Sequence, residues 1–274
     1  TRMGEYTYAC SDFKFKKGLV SATKTSGHTL QIADGLWLDK KFKAAMMKSI
    51  AQSELDRKRF VYSDIGFILL QQVVEAVTGK TLDAYLVSEF YRPMGLEHTL
   101  FQPLNRYKKA DIMPTAANDY LRRQDLCGYV HDEAAAFMGG VSGNAGLFST
   151  AQELGKIYQM ILNEGELDGK RYLRPETCRI FTTEKSAVSH RGLGYDKPNL
   201  KDPKANACAS SAPASVYGHT GFTGTCAWVD PENDLVYIFL SNRLCPDAWN
   251  GKLNSMKIRQ AIQEVIYQSL YTPE

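Results

Sequence analysis

Past residue 190 the chain changes texture, and that change limits the fold more than any single motif. Three strand-like runs follow one another, Val216 to Gly221, Thr225 to Asp230 and Leu235 to Asn242. Pro231-Glu232-Asn233-Asp234 joins the last two in the manner of a hairpin. A final helix over about Ser255 to Leu270 carries Ile258, Ala261, Ile262, Val265 and Ile266 as an apolar stripe, able to cover one face of a sheet. Consecutive strands closed by a helix make an antiparallel meander rather than alternating β-α units, so the fold class is α+β. Three strands covered on one face are a thin sheet for 274 residues.

Upstream, the apolar spacing is helical. Phe42, Ala45, Met46 and Ile50 predict a helix between Asp39 and Gln52. Ser63 can cap a stronger one, with Ile65, Ile68, Leu69, Val73, Ala76 and Val77 on one face and Gly79 as its stop. A third runs from Thr81 to about Tyr91, before Pro93 and Gly95. Thr150 with Glu153 forms a capping box ahead of Leu154, Ile157, Tyr158 and Ile161, and Arg174-Pro175-Glu176 opens a short helix. Weak signals between Thr99 and Tyr129 predict long connections, Gly192 to Tyr195 a short strand, and Lys197 to Ser211 a surface loop. Without a composition break to mark a linker, the expectation is one domain. It has an irregular arm over residues 1–38, a mainly helical lobe over 39–190, and sheet strands with the terminal helix over 191–274.

Charge and composition remove several classes. Lys plus Arg (33) nearly balances Asp plus Glu (30), so the net charge of +3 gives no footprint for nucleic acid. Apolar runs such as Ile68 to Leu70 and Val236 to Leu240 are too short to cross a bilayer. The six cysteines (Cys10, Cys127, Cys178, Cys208, Cys226, Cys245) show no C-x-x-C pair and no metal-ligand spacing, which reads as isolated buried thiols without metal or cofactor. The start at Thr1-Arg2-Met3 has neither an initiator Met nor a leader pattern, which suggests a processed or excised chain.

Among motifs, the segment Gly139 to Gly146 lacks the P-loop lysine and the dinucleotide-site order, and reads as a tight turn packed closely against backbone. His131-Asp132 could form a dyad, but its place before Glu133 and a short alanine-rich helix favours capping. The informative pair is Tyr62-Ser63-Asp64, where a loop enters a helix, and His219-Thr220-Gly221, in a strand followed by Phe222-Thr223-Gly224. A phenol can relay a proton, and a strand edge can offer a backbone N–H to a developing oxyanion. Thr220 and Gly221 are small enough for a substrate backbone to lie alongside.

These residues, with Gly128-Tyr129-Val130-His131-Asp132-Glu133 and Ala145-Gly146-Leu147-Phe148-Ser149-Thr150, make the chain from about Asp39 onward similar to a known family. It resembles the serine hydrolases of the class C β-lactamase, D-alanyl-D-alanine carboxypeptidase and esterase group. More narrowly, it is similar to the hydrolase part of bacterial proteins fused to a family-three glycoside hydrolase of β-N-acetylglucosaminidase type.

The resemblance implies a β-lactamase and penicillin-binding-protein-like fold, and an acyl-enzyme mechanism with a serine in an S-x-x-K motif. Tyr62 matches the proton-relaying tyrosine. Asp64 stands where the family more often has Asn, and a carboxylate there cannot donate an amide N–H. His219 matches the Lys-or-His position, and the backbone N–H of Phe222 one oxyanion donor. Imidazole is only fractionally charged near neutral pH, which favours esters or peptide-like, wall-derived substrates over efficient β-lactam hydrolysis.

Two S-x-x-K matches exist, Ser11 to Lys14 and Ser21 to Lys24. Both lie too close to Tyr62 and lack an apolar helix to bury the lysine, so they read as chance matches. The expectation is therefore that the nucleophile, the first helix and two strands lie upstream of this chain. A periplasmic or extracytoplasmic bacterial setting follows from the resemblance. The alternative is a penicillin- or peptidoglycan-binding module without turnover, beside an N-terminal glycosidase.

Overall fold

The computed structural model describes residues 14–54 and 60–271. Cys10 and Ser11, with most of the first S-x-x-K match, lie outside the described residues. The chain divides into two units. Unit 1 takes the chain up to Tyr91, Thr99–Phe148 and Cys245–Ala248, and unit 2 takes Arg92–His98, Ser149–Leu244 and the chain from Trp249. The main division thus falls after Phe148 rather than after residue 190.

Unit 1 begins with three antiparallel strands, β1 (Val20–Ser21), β2 (His28–Ala33) and β3 (Leu36–Asp39), in the order β1-β3-β2. For its described part, this corrects the irregular arm expected over residues 1–38. Asp34-Gly35 is a two-residue hairpin turn with Gly35 at φ 59°, the positive value that Asp-Gly supplies readily. Register shifts in β2 break the apolar alternation, which hides the strand from a search for period two.

Next come α1 (Phe42–Ala51), α2 (Ile65–Thr78) and α3 (Leu82–Leu86), the last continuing as a π-helical turn over Val87–Tyr91. All three agree with the helical spacing. After β4 (Leu100–Phe101), the stretch expected as bare connection holds a hairpin of β5 (Pro114–Asp119) and β6 (Gln124–Cys127). Its turn is organised by Arg122, which donates to both carboxylate oxygens of Asp119 and to the carbonyls of Val130 and His131, with both charged side chains fully buried. Then α4 (Glu133–Phe137) leads to β7 (Leu147–Phe148), which pairs with β4. The core joins Ile32 and Leu38 of the hairpin to Phe42, Met46, Ile68 and Ala134 through Met138, with the Phe42 and Phe137 rings edge to face at 4.9 Å. Full burial of each large member contributes about 1.5–3 kcal/mol.

Unit 2 starts its helices with α5 (Ala151–Leu162), capped by Thr150 accepting the Glu153 N–H at 3.3 Å. The Glu153 carboxylate accepts the backbone N–H groups of Glu97 and His98. A short pair, β8 (Glu166–Leu167) and β9 (Lys170–Arg171), precedes α6 (Pro175–Thr183). The meander is β10 (Tyr217–Thr220), β11 (Cys226–Asp230) and β12 (Leu235–Phe239), antiparallel in that order. It is followed by α7 (Lys252–Ser255) and α8 (Ile258–Tyr271).

Four expectations change here. The sheet is covered on both faces, not one. Cys226, Trp228 and Tyr237 pack against Tyr267 and Ile266 of α8, while on the other face Ile238 lies opposite Gly155 of α5, beside a groove of about 510 Å³. Every residue of β11 is accordingly buried. The buried side of α8 is Gln263 and Tyr267, whereas Ile262 and Val265 of the expected stripe are exposed. Tyr267 reaches Asp230 and Gln263 accepts the Ala209 N–H, so polar pairing rather than apolar periodicity orients this helix. Finally, the segment expected as a surface loop buries Cys208 and Ala209, and within Gly192 to Tyr195 only Gly192 pairs, in an isolated bridge to Lys185.

Candidate active site

In unit 1 the site residues stand at the entrance to α2. Tyr62 is 53% exposed. Ser63 Oγ accepts the Ile65 N–H at 3.3 Å, and the Asp64 carbonyl accepts from Phe67 and Ile68, so Asp64 begins the helix with its backbone rather than its side chain.

What fixes α2 is Gln71, only 2% exposed, whose Oε1 accepts the Gly143 N–H and whose Nε2 donates to Val141 O and Glu75 Oε1. The glycine-rich loop therefore braces the helix. A Cβ at Gly143 would stand 2.2 Å from the Phe67 carbonyl oxygen, so only glycine fits. Asp132 caps α4 by accepting the Ala135 N–H at 2.7 Å and also accepts from Asn144, which confirms capping over a catalytic dyad. Burial lowers the His131 pKa from its usual value. Beside α2 lies an apolar cavity of about 340 Å³, with Phe67, Leu70, Tyr91 and Phe101 in its walls.

In unit 2 the structure brings His219, Thr220, Gly221 and Phe222 together at the end of β10. The turn closes on itself, Gly221 N–H donating to Thr225 O at 2.7 Å and Gly224 N–H to Gly221 O at 3.1 Å. Two arginines hold it from outside. Arg259 Nη1 donates to the carbonyls of Thr225 (2.8 Å) and Gly221 (3.3 Å). Arg243 Nε donates to the Phe222 carbonyl at 2.6 Å, and its guanidinium lies 4.3 Å from the Phe222 ring centre. Burial, and then the neighbouring Arg259 charge, lower the Arg243 pKa.

The Gly221 carbonyl and the Phe222 N–H belong to one planar trans peptide. With the carbonyl turned to Arg259, that N–H is directed the opposite way.

A third arginine, Arg191, meets His219 itself. Its Nη1 lies 2.8 Å from Nε2 of the imidazole, and its Nη2 lies 3.6 Å from Asp196 Oδ2. Asp196 also meets His190 at 2.9 Å, and its backbone is bridged to Gly218 by two hydrogen bonds. Sequence reasoning missed all three arginines. Arg191 and Arg259 are 28 and 38 residues from their partners along the chain, so no local motif links them.

The second S-x-x-K match sits on the first hairpin. Ser21 belongs to β1, its Oγ accepts the Thr23 N–H, and Lys24 lies over the Trp37 ring at 5.6 Å. It therefore does not open a helix. Cys127, Cys178, Cys208, Cys226 and Cys245 are free thiols, and burial pushes Cys226 up to about 11. Among the described residues no group of three or more His, Cys, Asp or Glu side chains could hold a metal ion, and no helix is long and apolar enough to cross a membrane.

Solved structures share this fold, which is β-lactamase and penicillin-binding-protein-like. An octameric penicillin-binding protein homologue from Pyrococcus abyssi superposes with a TM-score of 0.52 at 17% identity, covering 85% of this chain and 52% of that one. A β-lactamase from Mycobacterium bovis gives 0.50 at 20% identity, over 77% and 64% of the two chains. Residues 22–254 match the β-lactamase family, and the chain belongs to it. The protein of Escherichia coli (strain K12) called "Putative D-alanyl-D-alanine carboxypeptidase" is 38% identical over 197 residues, 68% of this chain and 45% of that protein. The chain spans about half the length of the curated relatives it matches.

Proposed function

We propose that the chain is part of a serine hydrolase that forms an acyl-enzyme with ester or amide substrates, cell-wall-derived or β-lactam-like. The attacking serine comes from a segment outside residues 1–274. In this scheme the serine oxygen adds to the substrate carbonyl and its proton passes through a lysine and the Tyr62 phenol to the leaving group. Water then releases the acyl group. The Phe222 N–H stabilises the oxyanion, and Thr220 and Gly221 lie along the substrate. Asp64 accepts from the lysine and donates nothing to substrate. No cofactor takes part.

The observation that carries this is the turn at Gly221 to Thr225. Arg259 holds the Gly221 carbonyl, which turns the Phe222 N–H of the same planar peptide the opposite way, and a preorganised donor is what oxyanion stabilisation requires. The E. coli relative's name, which specifies a D-alanyl-D-alanine carboxypeptidase, supports a substrate of that peptide type.

The second reading is a penicillin- or peptidoglycan-binding module without turnover, beside a glycosidase domain. The strand position of Ser21 favours it for this chain alone. A short-chain p-nitrophenyl ester separates the two. The hydrolase reading expects turnover once an in-frame upstream segment bearing S-x-x-K is joined to the chain. The binding reading expects none.

A further inference from the structure

His219 stands at the position that the proposed hydrolase uses to face substrate, and its two ring nitrogens have partners of opposite character. Nε2 lies 2.8 Å from Arg191 Nη1. A guanidinium carries donors only, so Nε2 must accept. Nδ1 lies 2.7 Å from the Thr220 carbonyl oxygen, which can only accept, so Nδ1 must carry the proton.

These two bonds fit one state of the ring: neutral, with the proton on Nδ1. An imidazolium would place an N–H against a guanidinium N–H. The other neutral tautomer would do the same, and would also set a lone pair against the carbonyl.

Arg191 is itself held in place. Asp196 lies 3.6 Å from its Nη2, and the backbone of Asp196 is fastened to Gly218, next to His219, by hydrogen bonds of 2.7 and 3.1 Å. The strand that presents the imidazole therefore also anchors the group that orients it.

We propose that Arg191 is a positioning residue that locks His219 as the neutral Nδ1–H tautomer and carries the positive charge at this strand edge in its place. The proposal rests on the hydrolase reading only for what the position does, not for the state of the ring. On this account His219 accepts at Nε2 and donates only at Nδ1. It is an oriented wall, and the fixed charge stands one side chain behind it. Guanidinium stays protonated throughout the physiological range, so that charge does not titrate where an imidazole's would.

The test uses the chain itself, labelled with ¹⁵N at histidine, and long-range ¹H–¹⁵N correlation spectra at neutral pH. These spectra distinguish protonated from unprotonated ring nitrogens for each tautomer. His28 serves as the internal reference of opposite kind, because its Nε2 lies 2.9 Å from the Gly18 carbonyl and so bears the proton. The expected result is a protonated Nδ1 and an unprotonated Nε2 at His219, preserved in Arg191→Lys. In Arg191→Ala the Nε2-protonated signal should appear.

Arg191→Met, which keeps the aliphatic stem, serves if the alanine variant loses spectral dispersion. A wild-type His219 protonated at Nε2 would overturn the proposal, and so would a His219 signal unmoved by loss of the guanidinium. Because the readout needs no turnover, its failure is separate from failure of the hydrolase reading, which the ester assay decides.

Discussion

Unit 1 and unit 2 each hold an arginine beside an aspartate, and the two pairs do different work. Arg122 and Asp119 are fully buried, and that guanidinium donates to the aspartate and to backbone carbonyls that shape the path into α4. Arg191 and Asp196 are more loosely joined at 3.6 Å, the arginine is 25% exposed, and its closest partner is the imidazole of a site residue. The same contrast separates the glycine-rich turns. That of unit 1 is pressed against helix backbone at Gly143, while that of unit 2 is held through its carbonyls by Arg243 and Arg259. Glycine marks close packing in both. Only the turn of unit 2 is held by guanidinium groups.

The largest expected effect lies in unit 1. Arg122→Met strands a buried carboxylate and should cost about 3–5 kcal/mol in denaturant unfolding, whereas Arg191→Met should cost about 1 kcal/mol, because the contact is long, the arginine is partly exposed and buried Asp196 keeps His190 as a partner. Equal losses would erase the distinction between the pairs. Acid should expose the same difference. Burial alone would raise the Asp119 carboxyl, but the hydrogen bonds and charge of Arg122 together outweigh it and hold the pKa below its usual value. Its stabilisation is complete above about pH 4 and lost as pH falls through the lower folded-state value. Asp119→Asn should remove that part of the acid transition in a pH titration followed by circular dichroism.

Next in size, Gly143→Ala should lower stability by about 2–3 kcal/mol, since the clash is with fixed backbone. Gly221→Ala meets the Thr225 Oγ1 at 2.1 Å, a side-chain atom that can rotate, and should cost about 1 kcal/mol or less. Thermal melts of the two variants rank them. Asp132→Ala should cost about 1 kcal/mol from a lost N-cap, with no change in ester turnover of the completed enzyme. A selective loss of turnover there would revive His131-Asp132 as a dyad.

Elements whose signal is local were legible in the sequence. The stripe Ile65, Ile68, Leu69 and the stop at Gly79 mark α2, and Thr150 marks the start of α5, because capping and helical periodicity act over a few residues. The meander was legible for the same reason. The first hairpin was not, although Asp34-Gly35 is a strong hairpin turn, because bulges in β2 break its alternation. The orientation of α8 was hidden too, since Gln263 and Tyr267 bond to residues 54 and 37 positions away. In the candidate site, the motif residues could be read but their supports could not. A guanidinium reaching a carbonyl from 38 residues downstream leaves no local pattern.

Covalent labelling with a fluorescent penicillin tests the central claim most directly. The account predicts no label on residues 1–274 alone, and a serine-linked label once an upstream segment bearing S-x-x-K is joined, slowed strongly by Tyr62→Phe. Label on the chain by itself that disappears in Ser21→Ala would contradict it.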